Sequence, residues 1–401
     1  MNRPLKILMI SHFPKSRTYP RSHVIAKHLV QRGHNVSLMV LSNNRRTGIR
    51  ETKWDEVRMI ETPDLFWGPL RTGWDLWGVL NRINYLRKDH SSYDLIHCFE
   101  TRPATVFPTL FYRNSHDIPV ITDWNDWWGH GGIIDEFRPI WYRKLFGGVE
   151  TYFEEAFRSR FEGLTVISRA LKQRGISLGI PPDHICHLPG GSLPEEFPYR
   201  TVEECRSHVG ISLSDPVLGY SSVNKHVEMK FCMDVLSIIV EKYPNTKLLI
   251  TGKPNKSITE MAKSYNLADN LFLTGYVPFE ELAWYLGCAN FFILPFPEKT
   301  YNIGRWPNKI GEYLSVGRPI VSNPTGDVKT LLEDHKVGIL AEWIPEDFAR
   351  KSIELIENPN IVKQYGEEAR KLAITKYDWK NLAQVLEDFY FRVLNGTLKR
   401  N

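Results

Sequence analysis

The chain has 401 residues, of which 42% are hydrophobic and 24% charged, as in a globular protein with room for two domains. The formal net charge is +5, and residues 1–200 hold the excess, with 27 Lys and Arg against 21 Asp and Glu. So small an excess, without a binding motif, disfavours a nucleic-acid partner. Five cysteines without a Cys-x-x-Cys pair predict free thiols. Because we find no signal peptide or membrane-spanning run, we expect a cytoplasmic protein.

Short apolar runs alternate with helical patterns in the first half of the chain. The predicted strands are 7–11, 35–41, 94–98, 119–123, 165–168 and 184–188, the predicted helices are 21–32 and 73–88, and a basic loop is predicted over 43–53. This alternation predicts a parallel sheet covered on both faces, with ligands beyond the carboxyl ends of its strands. The first loop lacks Gly-x-Gly-x-x-Gly, which disfavours a dinucleotide cofactor.

A Pro- and Gly-rich passage near residue 190 is typical of a domain boundary, and the alternation starts again after it. The later predicted strands are 216–222, 247–251, 271–273 and 291–295, and the helices are 228–243, 279–286, 346–356, 361–376 and 379–394. We therefore predict two doubly wound α/β domains that face a cleft. They span 1–190 and 201–376, with a linker at 191–200 and a terminal segment at 377–401.

The stretch 302–323 combines a polar loop, a short helix and a strand. Asn308 is a suitable N-cap, Gly317 is suited to a left-handed C-cap, and Pro319 prevents continuation of the helix. A helix start with Arg305 and Lys309 beside it suits a phosphate, and Glu312 one turn later suits a sugar diol. The alternative interpretation is a capped helix with a solvated charged face.

The passage Lys309-Ile310-Gly311-Glu312-Tyr313-Leu314, with Gly317, Pro319, Ile320 and Val321, resembles the signature of retaining glycosyltransferases of glycosyltransferase family 4. Further resemblances lie at 94–97, 165–168, 188–191, 249–252, 273–277 and 377–379. The resemblance implies the GT-B fold, with a nucleotide-sugar donor on the second domain, an acceptor on the first, and a last helix that crosses back. It also implies transfer with retention of configuration, in which Lys225, Arg305 and Glu312 act at the donor.

The resemblance also implies which residues bind the donor. They are Gly219, Lys225, Tyr276, Val277, Asn302, Ile303, Gly304, Arg305, Asn308, Lys309 and Glu312. The sequence departs from the family pattern at Gly304, where a second Glu is usual, and at Tyr220, where Arg is usual. Residues 19–22 replace the family's early Gly-Gly loop.

Asp-x-Asp is absent from the sequence, so we expect fixed cations, rather than a metal or another cofactor, to neutralise the departing nucleotide. The loop 123–132 sets aromatic residues beside Asp and Asn, as sugar sites do. Asp126 or Asp123 is the candidate for orienting the acceptor hydroxyl, with His130 nearby. The alternative is a Trp-rich core corner capped by Asp123. His97 and His12 each leave two interpretations open, a functional histidine at the end of a strand or a buried, hydrogen-bonded histidine.

The acceptor is predicted to be a glycan or a lipid-linked molecule at an anionic membrane surface, because the first domain combines tryptophans with cations. The residues are Trp67, Trp74, Trp77, Trp124, Trp127, Trp128 and Trp141 with Arg82, Arg87, Lys88, Arg138, Arg143 and Lys144. The alternative places these tryptophans in the core and the acceptor in solution. Two other functions stay open: a sugar-nucleotide epimerase of the same fold, and a catalytically weakened sugar-nucleotide-binding protein.

Overall fold

The computed structural model describes residues 3–14, 20–42, 44–65, 73–221, 226–253 and 256–396. The chain divides into two compact units. Unit 1 comprises Met1–Pro189 and Trp379–Asn401, and unit 2 comprises Gly190–Asp378. None of the described helices has the length and apolarity that crossing a membrane requires. Lys225, Trp67 and Tyr19 lie outside the described residues.

Unit 1 is built on an eight-stranded sheet in the order β3-β4-β2-β1-β5-β6-β7-β8. The strands are β1 Lys6–Pro14, β2 Asn35–Leu41, β3 Arg50–Trp54, β4 Val57–Thr62, β5 Leu95–Phe99, β6 Val120–Trp124, β7 Gly163–Val166 and β8 Ile185–His187. The helices are α1 Arg21–Gln31, α2 Leu76–Lys88, α3 Pro103–His116, α4 Ile133–Phe137, α5 Ile140–Ala156, α6 Arg169–Ser177 and, from the C-terminal segment, α16 Trp379–Leu394. The central strands are buried along their whole length, which explains why the sequence shows them as continuous apolar runs.

The edge of this sheet corrects one prediction. Residues 50–53 belong to strand β3, which pairs antiparallel with β4, and not to a basic loop. The hairpin turns through Asp55 and Glu56, both at positive φ. Its first strand is polar and largely exposed, so it has no apolar run by which a strand could be recognised.

The last helix, α16, packs on the sheet of unit 1. Tyr390 contributes its hydroxyl to a 2.6 Å hydrogen bond with Nδ1 of His97, whose Nε2 lies 3.1 Å from the Thr165 hydroxyl. Gly163 lets the helix approach, since a Cβ there would lie 2.9 Å from the Phe389 ring. Burial lowers the pKa of His97 to about 4. Of the two interpretations of His97, the structure therefore supports the buried, hydrogen-bonded histidine.

Unit 2 has a six-stranded parallel sheet in the order β11-β10-β9-β12-β13-β14. The strands are β9 Val217–Ser221, β10 Lys247–Thr251, β11 Leu271–Leu273, β12 Phe291–Leu294, β13 Ile320–Ser322 and β14 Gly338–Leu340. The helices are α7 Val202–Val209, α8 His226–Lys242, α9 Lys256–Ser264, α10 Phe279–Gly287, α11 Thr300–Ile303, α12 Lys309–Ser315, α13 Gly326–His335, α14 Pro345–Glu357 and α15 Pro359–Thr375. The structure thus confirms the predicted doubly wound α/β class for both units.

Candidate functional site

The strand order of unit 2 reverses between β9 and β12, which makes this the topological switch point of the sheet. Beyond β9 the chain leaves at Ser221, and beyond β12 it runs through α11 to α12. Open α/β sheets bind ligands beyond the carboxyl ends of their strands at such a point. The stretch predicted to hold a phosphate and a sugar therefore lies where the topology favours a ligand.

The short helix α12 begins at Lys309 and has seven residues. Gly317 follows it with φ +67°, so the predicted left-handed ending is confirmed. Asn308 occupies the N-cap position, but its φ and ψ of −56° and −32° are helical and its side chain makes no capping hydrogen bond. The capping role predicted for Asn308 is therefore wrong, because side-chain capping requires an extended N-cap backbone.

Lys309 lies against an aromatic ring and among carboxylates. Its Nζ is 3.8 Å from the centroid of the Tyr220 ring. Burial lowers the pKa of Lys309 to about 8, although the charges of Glu228 and Glu312 oppose the shift. Glu228 accepts a 2.7 Å hydrogen bond from the Tyr220 hydroxyl. The cation thus packs against the Tyr220 ring and lies near Glu228, a carboxylate that the sequence analysis did not identify as a site residue.

Glu312 is fixed to the end of β9. Its Oε2 accepts a 3.0 Å hydrogen bond from the Ser221 hydroxyl, and the backbone N–H of Ser221 donates to the Tyr313 hydroxyl at 3.0 Å. Tyr313 stacks on Phe292 with ring centroids 3.6 Å apart. Burial raises the pKa of Glu312, and the Ser221 bond and Lys309 act in the opposite direction. The alternative of a solvated charged face is therefore wrong for this carboxylate.

Three buried polar atoms in α11 and the loop that follows it have no hydrogen-bond partner among the described residues: Oδ1 of Asn302, Nε of Arg305 and Nε1 of Trp306. The Arg305 guanidinium lies over the rings of Phe296 and Tyr301, at 5.2 and 5.3 Å from their centroids. Asn302 is fully buried and donates through Nδ2 to the Pro297 carbonyl at 2.8 Å. Such orphaned groups are rare in folded proteins and call for a partner.

The other predicted donor residues lie beyond the carboxyl ends of the strands of unit 2 or within its sheet. Ile303 ends α11 and Gly304 follows it, whereas Tyr276 and Val277 follow β11, the edge strand on the other side of β10. Gly219 lies inside β9, and a Cβ there would be 2.4 Å from the Phe292 ring. Packing against Phe292 accounts for this glycine, and its contact with a donor stays a prediction.

Unit 1 has its own switch point, between β1 and β5. A pocket lies just beyond β5. Its lining residues are Trp74, Glu100, Thr101, Arg102, Trp128, Glu150, Phe153 and Glu154. The Arg102 guanidinium lies 4.4 Å from the Trp128 ring centroid and 6.0 Å from that of Trp74. Carboxylates, a cation and indole rings thus converge at the position where a ligand is expected.

Glu100 is the most unusual residue of this pocket. It has φ +62°, which only a few per cent of non-glycine residues adopt. Its Oε2 accepts a 2.6 Å hydrogen bond from Arg158, and its Oε1 accepts one of 2.8 Å from the backbone N–H of Asn125. Burial raises the pKa of Glu100 to about 7, although Arg158 opposes the shift. Sequence reasoning placed ligands beyond the carboxyl ends of the strands but did not identify Glu100, because backbone strain is not visible in a sequence.

The acceptor residues predicted in 123–132 divide into two groups. Asp123 is fully buried, and its carboxylate pairs with Arg21 at 3.1 Å and accepts from the Thr165 hydroxyl at 2.5 Å. Trp124 is fully buried as well, so the core-corner alternative is confirmed for these two residues. Asp126 is half-buried and His130 is exposed.

His12, the other ambiguous histidine, is fully buried at the end of β1. Its pKa lies well below the ordinary value because of burial and the charge of Arg102. Its ring lies edge-on to that of Trp128, with the centroids 6.5 Å apart. His12 is thus buried beside the unit 1 pocket, but neither ring nitrogen has a hydrogen-bond partner among the described residues, so the hydrogen-bonded interpretation is not confirmed for it.

The residues predicted to face a membrane also divide. Trp124 and Arg82 are fully buried, and Arg82 donates to three oxygens, those of Thr62, Ala104 and Ser11. Placing these two at a surface was wrong, because a sequence window does not distinguish a core Trp or Arg from an interfacial one. Trp77, Trp141, Arg87, Lys88 and Lys144 are exposed, and Trp74, Trp127, Trp128, Arg138 and Arg143 are half-buried.

Each unit matches a glycosyltransferase family model. Residues 216–358 match glycosyl transferases group 1, and residues 22–192 match glycosyltransferase family 4. The chain is 25% identical over 145 residues to an uncharacterised glycosyltransferase of Methanocaldococcus jannaschii, covering 36% of each protein. It is 23% identical over 226 residues to the GDP-mannose-dependent alpha-(1-6)-phosphatidylinositol monomannoside mannosyltransferase of Mycolicibacterium smegmatis, covering 54% of this chain and 59% of that protein. The matches thus span 36% to 59% of the length of these curated relatives.

Solved structures show the same fold. Sucrose-phosphate synthase of Thermosynechococcus elongatus is similar with a TM-score of 0.78 and 16% identity, covering 98% of this chain and 100% of that one. HepE of Anabaena in complex with UDP is similar with a TM-score of 0.69 and 14% identity, covering 96% of this chain and 100% of that one. At these identities the likeness shows the fold alone, which is GT-B.

Proposed function

We propose that this chain, which carries two glycosyltransferase-family domains on a GT-B fold, moves a sugar from a nucleotide sugar to an acceptor with retention of configuration. The donor binds unit 2 and the acceptor binds unit 1. The observation that carries the proposal is the group of Lys309, Glu312 and Ser221 at the switch point of unit 2. The group 1 family match over 216–358 and the UDP-bound HepE neighbour support a nucleotide-sugar donor.

Glycosyl transfer leaves negative charge on the departing nucleotide diphosphate. Arg305 and Lys309 would neutralise that charge, with Lys225 as a third cation and Asn308 at the start of α12. Fixed cations in a partly dry site stabilise developing charge without a cost of reorganisation at the moment of reaction. The orphaned Arg305 Nε and Asn302 Oδ1 would gain partners in the bound donor. We accordingly propose that the reaction needs no metal and no further cofactor.

Glu312 accepts hydrogen bonds from ribose or sugar hydroxyls in this proposal. Ser221 already donates to one of its oxygens, which fixes the rotamer of the carboxylate and leaves it with further acceptor capacity. Tyr276, Val277, Ile303 and Gly304 complete the proposed donor pocket, with Gly219 behind it.

The acceptor, a glycan or a lipid-linked molecule, is proposed to enter the unit 1 pocket. Glu100 would accept a hydrogen bond from an acceptor hydroxyl, and Asp126 would orient the hydroxyl that reacts. Carboxylates beside indole rings suit a sugar, whose apolar face packs on aromatic rings. We also propose a cytoplasmic protein that visits an anionic membrane surface. The relative from Mycolicibacterium smegmatis is named for a phosphatidylinositol-linked acceptor, which supports the membrane part of this proposal.

One rival function follows from a specific observation. Gly304 stands where the resembled family has a second Glu, which would suit a protein that binds a nucleotide sugar without transferring it. An epimerase would instead consume the nucleotide sugar without any acceptor. The test is incubation with a panel of nucleotide sugars, with and without glycan or lipid acceptors. Nucleotide release that requires the acceptor supports transfer, and release or isomerisation without it contradicts transfer.

A further inference from the structure

Helix α5 of unit 1, Ile140–Ala156, is inverted relative to an ordinary surface helix. Surface helices bury an apolar stripe and expose polar residues. In α5 the buried residues are Gly147, Glu150 and Glu154. Phe153 packs against the core, but six other large apolar side chains point outward, and no neighbouring element of unit 1 covers them in the part of the chain described.

The apolar residues form one continuous face, which we name the α5 outer face. It consists of Ile140, Trp141, Leu145, Phe146, Val149 and Tyr152, each between 46% and 67% exposed. The spacing of residues 141, 145, 149 and 152 places these four on one stripe of the helix. A contiguous apolar patch on a folded surface marks an interaction site.

Buried hydrogen bonds hold the helix in this orientation. Glu154 accepts from Trp124 Nε1 at 2.9 Å and from the backbone N–H of Trp128 at 2.7 Å. Glu150 pairs with Arg138 at 3.5 Å. Rotating the helix to bury its apolar residues would break these contacts and leave buried partners unsatisfied. The outward apolar face is therefore built into the fold of unit 1.

The charge of this face favours one kind of partner. Of the exposed residues in α5, Lys144 alone is charged, and it lies between Trp141 and Leu145 on the stripe. A symmetric dimer through this face would bury two copies of Lys144 with no exposed carboxylate of α5 to pair them. At a bilayer, the Lys144 ammonium reaches the phosphates while Trp and Tyr lie at headgroup level. Because α5 has 17 residues and several charges, it would lie in the plane of the interface.

We propose that the α5 outer face inserts into the headgroup region of an anionic lipid bilayer. This inference rests on the membrane part of the proposed function and is independent of glycosyl transfer. It adds that apolar side chains of one helix supply most of the binding, with Lys144 supplying the preference for anionic lipid.

The experiment is flotation of the full chain with vesicles of phosphatidylcholine, with and without phosphatidylglycerol. The test variant combines Trp141→Gln, Leu145→Gln and Val149→Gln. The matched control combines Leu213→Gln, Ile344→Gln and Val385→Gln, which are equally exposed apolar residues elsewhere. We expect the test variant to bind at least about tenfold more weakly and the control to bind like the unchanged chain. Lys144→Gln should lower binding about fivefold, and only on anionic vesicles.

Circular dichroism and thermal melting establish that each variant is folded. Equal vesicle binding by the folded test variant and the control would overturn the proposal. The proposal would also be overturned if the unchanged chain did not bind vesicles but formed a dimer, and the test variant formed none. The α5 outer face would then bind a second copy of the chain. Transfer to a water-soluble acceptor, measured without vesicles, separates the two proposals. Vesicle binding through α5 without any transfer would contradict the glycosyltransferase function and leave the docking face standing.

Discussion

The substitution Glu312→Gln tests the donor site with little change of shape. Ser221 can still donate to the amide oxygen, but the site loses a negative charge that lies close to Lys309. A hydrogen bond to a charged acceptor contributes about 1.5–3 kcal/mol. With about 1.4 kcal/mol per factor of ten, the loss corresponds to roughly a 10- to 100-fold weaker donor affinity. The fold should survive, because the Tyr220 ring still packs against Lys309 and the charge of Glu228 remains near it.

Isothermal calorimetry with the donor identified by the panel measures this change, and kcat/KM for transfer should fall in parallel. Glu333→Gln is the matched control, since that carboxylate is exposed on α13 and its only described pairing is a 4.0 Å contact with Lys329. We expect the control to bind like the unchanged chain. A folded Glu312→Gln variant with unaltered affinity and turnover would remove Glu312 from the site and refute the reasoning.

Transfer activity should persist in EDTA, because fixed cations carry the neutralisation; loss with EDTA and rescue by magnesium would refute this. Donor affinity should weaken as the pH rises through about 8, where Lys309 loses its proton, and Lys309→Gln should bind weakly at every pH without this transition. Gly219→Ala should lower the free energy of unfolding by about 1–3 kcal/mol, because its Cβ would overlap the Phe292 ring. Gly148→Ala should not destabilise the protein, because a Cβ there would have no atom within 4 Å. Transfer should decline as the pH falls below about 7, where Glu100 gains a proton. The Glu100→Gln variant should lack that decline and keep its donor affinity. A decline that persists in this variant would exclude Glu100 as its cause.

The central strands of both sheets could be predicted from the sequence because they are buried on both faces. The strand at 247–251 has the buried apolar run 248–250 at its centre, and its predicted bounds agree with the structure. The sequence signals for α12 and its glycine ending were local as well, and Glu312 lay within that stretch.

Three features depended on tertiary contacts and could not be read from the sequence. Strand β3 is polar because it lies at the edge of the sheet, so it resembles a loop. Helix α5 was not predicted because its buried positions are a glycine and two carboxylates, the reverse of the usual pattern. Tyr220 and Glu228 lie far from Lys309 in sequence, and only the packing of α8 and α12 beside β9 brings these side chains together.

The central claim is that a sugar leaves its nucleotide for an acceptor without inversion. Proton NMR of the reaction, with the donor and acceptor identified by the panel, follows the anomeric signal of the product as it forms. We expect acceptor-dependent release of the nucleotide and a product with the anomeric configuration of the donor. A product of the opposite configuration would contradict the proposed mechanism, and donor consumption that is indifferent to the acceptor would contradict glycosyl transfer itself.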